Sequence, residues 1–200
     1  MLVLVTNNIS PESLTDYQQR TTYDPTRVAE IRKIEIEEGF SIQTEMLIYL
    51  KIWESDAFIK SLYELTRLMK GEAYDWHFKI KESNRDKEAT GNRDTILRQL
   101  VRDQFETSIP ALYESFKTAF KTQVRNAIAH SQYAILGRYI TLNNFVKEDP
   151  AAQLRSLSFD EWIDIFHETI IIYSLYNELL TQIMNTALFP LKMAIGLKFA

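Results

Sequence analysis

The 200-residue chain contains no cysteine. That absence excludes disulfides, thiolate catalysis and Cys-ligated zinc or iron–sulfur centres, and it suits a reducing compartment. Glycine and proline are scarce, at five each, which disfavours a turn-rich all-β fold and favours long helices. Only three histidines occur, at 77, 130 and 167. Scattered as they are, they offer no metal-ligand spacing, so neither a metal nor a cofactor is expected. No glycine pattern matches a phosphate loop or a dinucleotide fingerprint, and no serine sits in a nucleophile elbow. Long apolar runs are missing too. Residues 170–176, flanked by Glu168 and Glu178, fall far short of a membrane span. The apolar start at residues 1–5 lacks a basic flank and is too short for a secretory signal. A cytoplasmic protein without membrane association is therefore expected. Nor is there an excess of positive charge: 23 Lys and Arg against 27 Asp and Glu give −4. That argues against broad, tight nucleic-acid binding but leaves room for a small local basic groove.

What the chain does have is helical punctuation. Ser10-Pro11-Glu12 and Asp24-Pro25 each place a capping residue before a proline at the first helical position. A charged helix over 25–38, stopped by Gly39, reads as an N-terminal helical arm over 1–39, leaving a helical domain over 40–200. In that domain Ile42, Met46, Tyr49, Leu50 and Trp53 recur at helical spacing. Phe58, Leu62, Leu65 and Met69 do the same, as one long helix or as two with a bend near Ser55. Residues 79–92 are charged and aperiodic, which predicts a mobile loop. A third core helix is predicted over 94–106. Pro110 then opens a helix with the apolar stripe Leu112, Phe116, Phe120, Val124 and Ile128. Beyond His130 the period changes to two, predicting a β-hairpin over 133–142 that turns at Gly137. Ser158 and Glu161 form a capping box for a last helix reaching about residue 187. It is apolar nearly all round at 170–175, so it is expected at the bundle centre or in a subunit interface. The fold class is all-α, a helical bundle with a small β-hairpin after the motif helix.

The stretch that carries chemistry is Arg125-Asn126-Ala127-Ile128-Ala129-His130. At about 100° per residue, Asn126 and His130 lie within about 40° of each other on the helix, and Arg125 lies about 140° from His130. An imidazole near a helix C-terminus can serve as general acid or base in phosphoryl transfer. An arginine fork can hold a phosphate and offset its developing charge, and an amide can orient either group. Lys117 and Lys121 continue an i, i+4 row into Arg125, a candidate RNA-backbone track or simply a solvated face. The same three motif groups can equally cap the helix and bind loop carbonyls.

Arg125-Asn126-x-x-x-His130 resembles the signature of the HEPN superfamily, the higher eukaryotes and prokaryotes nucleotide-binding domains. That signature is an arginine, commonly followed by a polar residue, with a histidine after four to six intervening residues. The helical context fits, and the resemblance spans about residues 40–187. It implies a HEPN-like bundle and a metal-independent endoribonuclease, usually a homodimer whose two motifs meet. The implied reaction is attack by the RNA 2′-hydroxyl on its own phosphate, leaving a 2′,3′-cyclic phosphate. Carried over by position, Arg125 stabilises the phosphorane, His130 transfers the proton and Asn126 positions. Such proteins commonly act as toxins or anti-phage effectors held by an antitoxin or regulatory partner. Some HEPN domains instead bind nucleotides or serve as dimerisation modules. The acidic net charge departs from what a general ribonuclease would carry, and suggests a selective substrate or a narrow groove.

Other candidates read more simply. His167 is expected as a satisfied histidine at the bundle edge. Tyr74, Trp76 and His77 read as an aromatic lid on the core, with base stacking on Trp76 as the functional counterpart. An unrelated helical interaction protein, docking a partner on residues 170–176, is the remaining reading.

Overall fold

The computed structural model describes residues 28–83, 85, 86, 88–144 and 153–195, with backbone alone at 28–32, 35 and 187–195. The caps at Ser10-Pro11 and Asp24-Pro25 and the segment around Pro150 lie outside the described residues. The described chain is mainly helical with one small antiparallel sheet. In order it contains α1 (Val28–Trp53), α2 (Asp56–Met69), α3 (Arg93–Thr95), α4 (Pro110–Ala119) and α5 (Thr122–Ala129). Then come β1 (Tyr133–Leu136), β2 (Tyr139–Leu142), β3 (Ser156–Ser158) and α6 (Phe159–Ile195). The chain divides into two compact units. One joins the described residues up to Ser55 with Phe120–Phe166, and the other joins Asp56–Ala119 with the described residues from His167 on.

Several expectations are corrected. Gly39 does not stop a helix, because α1 runs through it as far as Trp53. A glycine inside a helix costs about 1 kcal/mol against alanine, which the buried residues of the following turns outweigh. The alternative of two helices holds, with α1 and α2 separated at Glu54 and Ser55. The third core helix is not regular. Three α residues lead into a π-helical turn, Ile96–Val101, and a 3-10 turn, Arg102–Phe105. The wider turn puts Ile96, Leu97 and Val101 in the core together. The described residues of 79–92 form a loop, as expected, tied by hydrogen bonds. Lys81 N–H donates to the Gly91 carbonyl at 2.8 Å, Thr90 N–H to Lys79, and the Asp86 carboxylate accepts from the Glu82 and Ser83 amides.

The motif-bearing unit is built around α1. Its inward stripe, Ile42, Met46, Tyr49, Ile52 and Trp53, is buried. Tyr49 packs edge-on to Trp162 at 5.4 Å, and Trp53 meets Phe120 at 5.1 Å. The indole N–H of Trp162 donates to Glu45 Oε2 at 2.8 Å, so this buried polar atom is satisfied. The hairpin forms as expected, with Leu136 opposite Tyr139 and Gly137 at φ +56°. A third strand, unforeseen because only three residues form it, pairs Ile140 with Leu157. The Ser158–Glu161 capping box is present, with Glu161 N–H donating to Ser158 Oγ at 3.1 Å and Ser158 N–H donating to Glu161 Oε2 at 2.7 Å.

In the second unit the buried face of α2, Phe58, Ile59, Leu62, Tyr63 and Thr66, lies opposite its exposed face. Phe58 packs against Tyr173 and Tyr176, and Phe105 stacks on Phe116. Along residues 170–175 of α6, Ile172 is buried but Ile171 and Leu175 are about half exposed, so this stretch is not enclosed all round. The aromatic lid is also corrected: Trp76 is 82% exposed, and Phe78 packs on Tyr63 in its place. His167 and His77 are exposed.

Candidate functional site

The helix expected to run unbroken from Pro110 to the motif is interrupted. The helix α4 stops at Ala119, and Lys121 takes an extended conformation (φ −118°, ψ 110°) before α5 begins. The apolar stripe survives the break at Phe116, Phe120, Val124 and Ile128, all buried, while Leu112 is half-buried. The basic row does not survive as one helix face. Lys117 lies on α4, 3.1 Å from Glu114 and over the ring of Tyr113. Lys121 is the residue before α5, and its backbone N–H donates to the Tyr49 hydroxyl at 3.4 Å. Burial pushes the pKa of that phenol above its ordinary range, and the Lys121 N–H and the Arg125 charge pull it back in part.

Residues 125–130 occupy the last turns of α5. The helix ends in a Schellman arrangement. Gln132 N–H donates to the Ala127 carbonyl at 2.7 Å, and Ser131 N–H to the Ile128 carbonyl at 3.2 Å. Position 131 must therefore be left-handed, and Ser131 sits there at φ +53° where glycine is usual. His130 is the C-cap, with its backbone N–H on the Asn126 carbonyl. Its side chain is exposed at the end of the helix. Asn126, one turn earlier, is half-buried. Neither the Asn126 amide nor the His130 imidazole is engaged by another described residue.

Arg125 goes the other way. The 140° offset turns it towards the end of α1, where Nη1 donates to Glu54 Oε1 at 2.8 Å. The arginine side chain is 15% exposed and the glutamate 30%. Arg125 Nε is buried with no acceptor. So α1 packs on α5 through a half-buried ion pair that uses one edge of the guanidinium. The structure thus presents Asn126 and His130 outward and commits Arg125 to Glu54.

Two site residues escaped the sequence reading. Glu54 carried a signal: a carboxylate just past a helix end faces unpaired carbonyls and needs a cation. Ser131 carried one as well, since a helix ending at His130 requires a left-handed residue next. Among the described residues no group of three His, Asp or Glu could hold a metal, and no helix is long and apolar enough to cross a membrane. No family model matches the chain, and neither does any curated protein or solved structure.

Proposed function

We propose that the protein is a HEPN-type, metal-independent endoribonuclease, with Arg125, Asn126 and His130 as its catalytic groups, acting as a cytoplasmic toxin or anti-phage effector. The observation that carries this reading is the pair of uncommitted polar groups, Asn126 and His130, at a helix end whose left-handed Ser131 fixes the direction of the chain. Strained backbone beside an exposed, unpaired histidine is where function accumulates.

In the proposed reaction, the RNA 2′-oxygen attacks its own phosphorus as its proton passes to a base, and the bond from phosphorus to the 5′-oxygen breaks. The leaving 5′-oxygen takes up a proton. His130 serves these proton transfers, Arg125 offsets charge on the phosphorane, and Asn126 orients a phosphate oxygen. Lys117 and Lys121 are the candidate RNA-backbone contacts, and a homodimer would bring two motifs to one substrate. A second reading, a non-catalytic HEPN dimerisation or nucleotide-binding module that regulates a partner, is favoured by one observation. Arg125 is already engaged by Glu54.

The test is incubation of wild type and His130→Ala with total RNA in EDTA. The catalytic reading expects 2′,3′-cyclic ends from wild type and a rate about 10²–10⁴-fold lower from the variant. Equal cleavage by both, or none by either, refutes it and favours the module.

A further inference from the structure

We infer that Glu54 belongs to the Arg125 site, as a built-in carboxylate that a substrate phosphate must displace before Arg125 can act. The inference rests on the reading of Arg125 as the phosphate-holding group. A carboxylate and a phosphodiester both offer two oxygens to the guanidinium fork, so they compete for the same donors. Glu54 holds one of them, Nη1, at 2.8 Å, while Asn126 and His130 stand uncommitted. Arg125 is therefore the motif group whose availability has to change.

The pair is built to exchange. Arg125 gives Glu54 one nitrogen, Nη1, and its Nε is left buried without an acceptor. Glu54 lies in the turn after α1, its N–H still donating to the Leu50 carbonyl at 2.9 Å. Glu54 is also the more exposed partner, 30% against 15%, so a displaced carboxylate can return to water while the guanidinium stays in place. Displacement by phosphate keeps Arg125 paired. The device sets a threshold: an isolated anion gains little, whereas a strand that also meets Asn126 and His130 can open the pair.

The experiment measures fluorescence anisotropy of an uncleavable 2′-O-methyl RNA oligonucleotide with wild type, Glu54→Gln, Arg125→Met and the double variant. Tryptophan-monitored melts verify folding, and Arg125→Lys serves as a charge-retaining second variant. Removing the competitor is expected to tighten binding about fivefold, the equivalent of ~1 kcal/mol for a partly exposed pair. The gain is expected to vanish in the Arg125→Met background, which separates it from a general loss of negative charge. If Glu54→Gln binds equally or more weakly while Arg125→Met weakens binding, Glu54 only steadies the arginine. The inference then falls and the site reading stands. If Arg125→Met and His130→Ala both bind as wild type does, the site reading fails and takes the inference with it.

Discussion

Breaking the Arg125–Glu54 pair from either side should cost different amounts, and the difference can be worked from the exposures of the two side chains. Truncating one partner of a fully buried pair costs about 3–5 kcal/mol, whereas an exposed pair is worth about 0–1 kcal/mol. At 15% and 30% exposure this pair lies between those limits. Glu54→Ala strands a guanidinium that already has one buried, unpartnered nitrogen, so about 2 kcal/mol is expected. Arg125→Met keeps the buried stem and takes one cation from a carboxylate that is partly exposed. Its cost is set by the lost charge pair, about 1 kcal/mol. The double variant removes the pair outright, so the two losses should fall short of adding by about 1 kcal/mol.

The assay is thermal unfolding followed by tryptophan fluorescence. Trp53 and Trp162 are fully buried in the same compact unit as the pair, whereas Trp76 is already 82% exposed and supplies a nearly constant background. For a chain of this length, 2 kcal/mol corresponds to a Tm lower by about 4–8 °C. Strict additivity of the two variants, with coupling under about 0.3 kcal/mol, would refute the argument. It would mean that the two groups meet without mattering to each other, and the threshold proposed for phosphate entry would lose its energetic basis.

Two further outcomes are expected. Ser131→Gly should raise stability by about 0.5–1 kcal/mol, because Ser131 holds φ +53° without help from the side-chain preferences of an L-residue; an unchanged or lower Tm in the same melts would contradict this. The Asp86 carboxyl is held below its ordinary value by the Ser83 backbone N–H, the Lys79 ammonium and the Glu82 N–H. A depressed folded value means the loop contacts contribute fully above the unfolded value and are lost as pH falls through the folded one. The Glu82 and Ser83 amide resonances should therefore titrate with a midpoint below about 3.9, and a midpoint at or above it counts against the contact set.

The helical character and the hairpin were legible because their signals are local. Apolar spacing marked the buried face of α1, and a glycine between two alternating runs marked the turn at Gly137. What misled was continuity. Leu112 to Ile128 keeps an i, i+4 period across residues 119–121, yet Lys121 is extended, because its N–H is taken by Tyr49 Oη from a distant helix. A periodicity count cannot register a hydrogen bond to a residue 72 positions away. Gly39 failed in the opposite sense, since a stop signal with no proline or left-handed turn after it is overridden by the packing that follows. Trp76 reads with Tyr74 and His77 as a lid on the core, and the half-buried Phe78, packed on Tyr63, takes that place.

The spacing of the motif itself explains why its members fare differently. Four intervening residues place arginine and histidine on opposite flanks of one helix, about 140° apart. When the helix packs by its Val124, Ala127 and Ile128 face, one flank meets the neighbouring helix and the other meets solvent. The arginine then needs an anion from its own protein, because a guanidinium turned inward without one is costly. Glu54 meets that need. A motif on a single α-helix cannot have both flanks free at once, so an internal counter-ion for Arg125 follows from the same geometry that leaves His130 exposed. Under the proposed function, the resting partner of the arginine and the competitor of its substrate are one carboxylate.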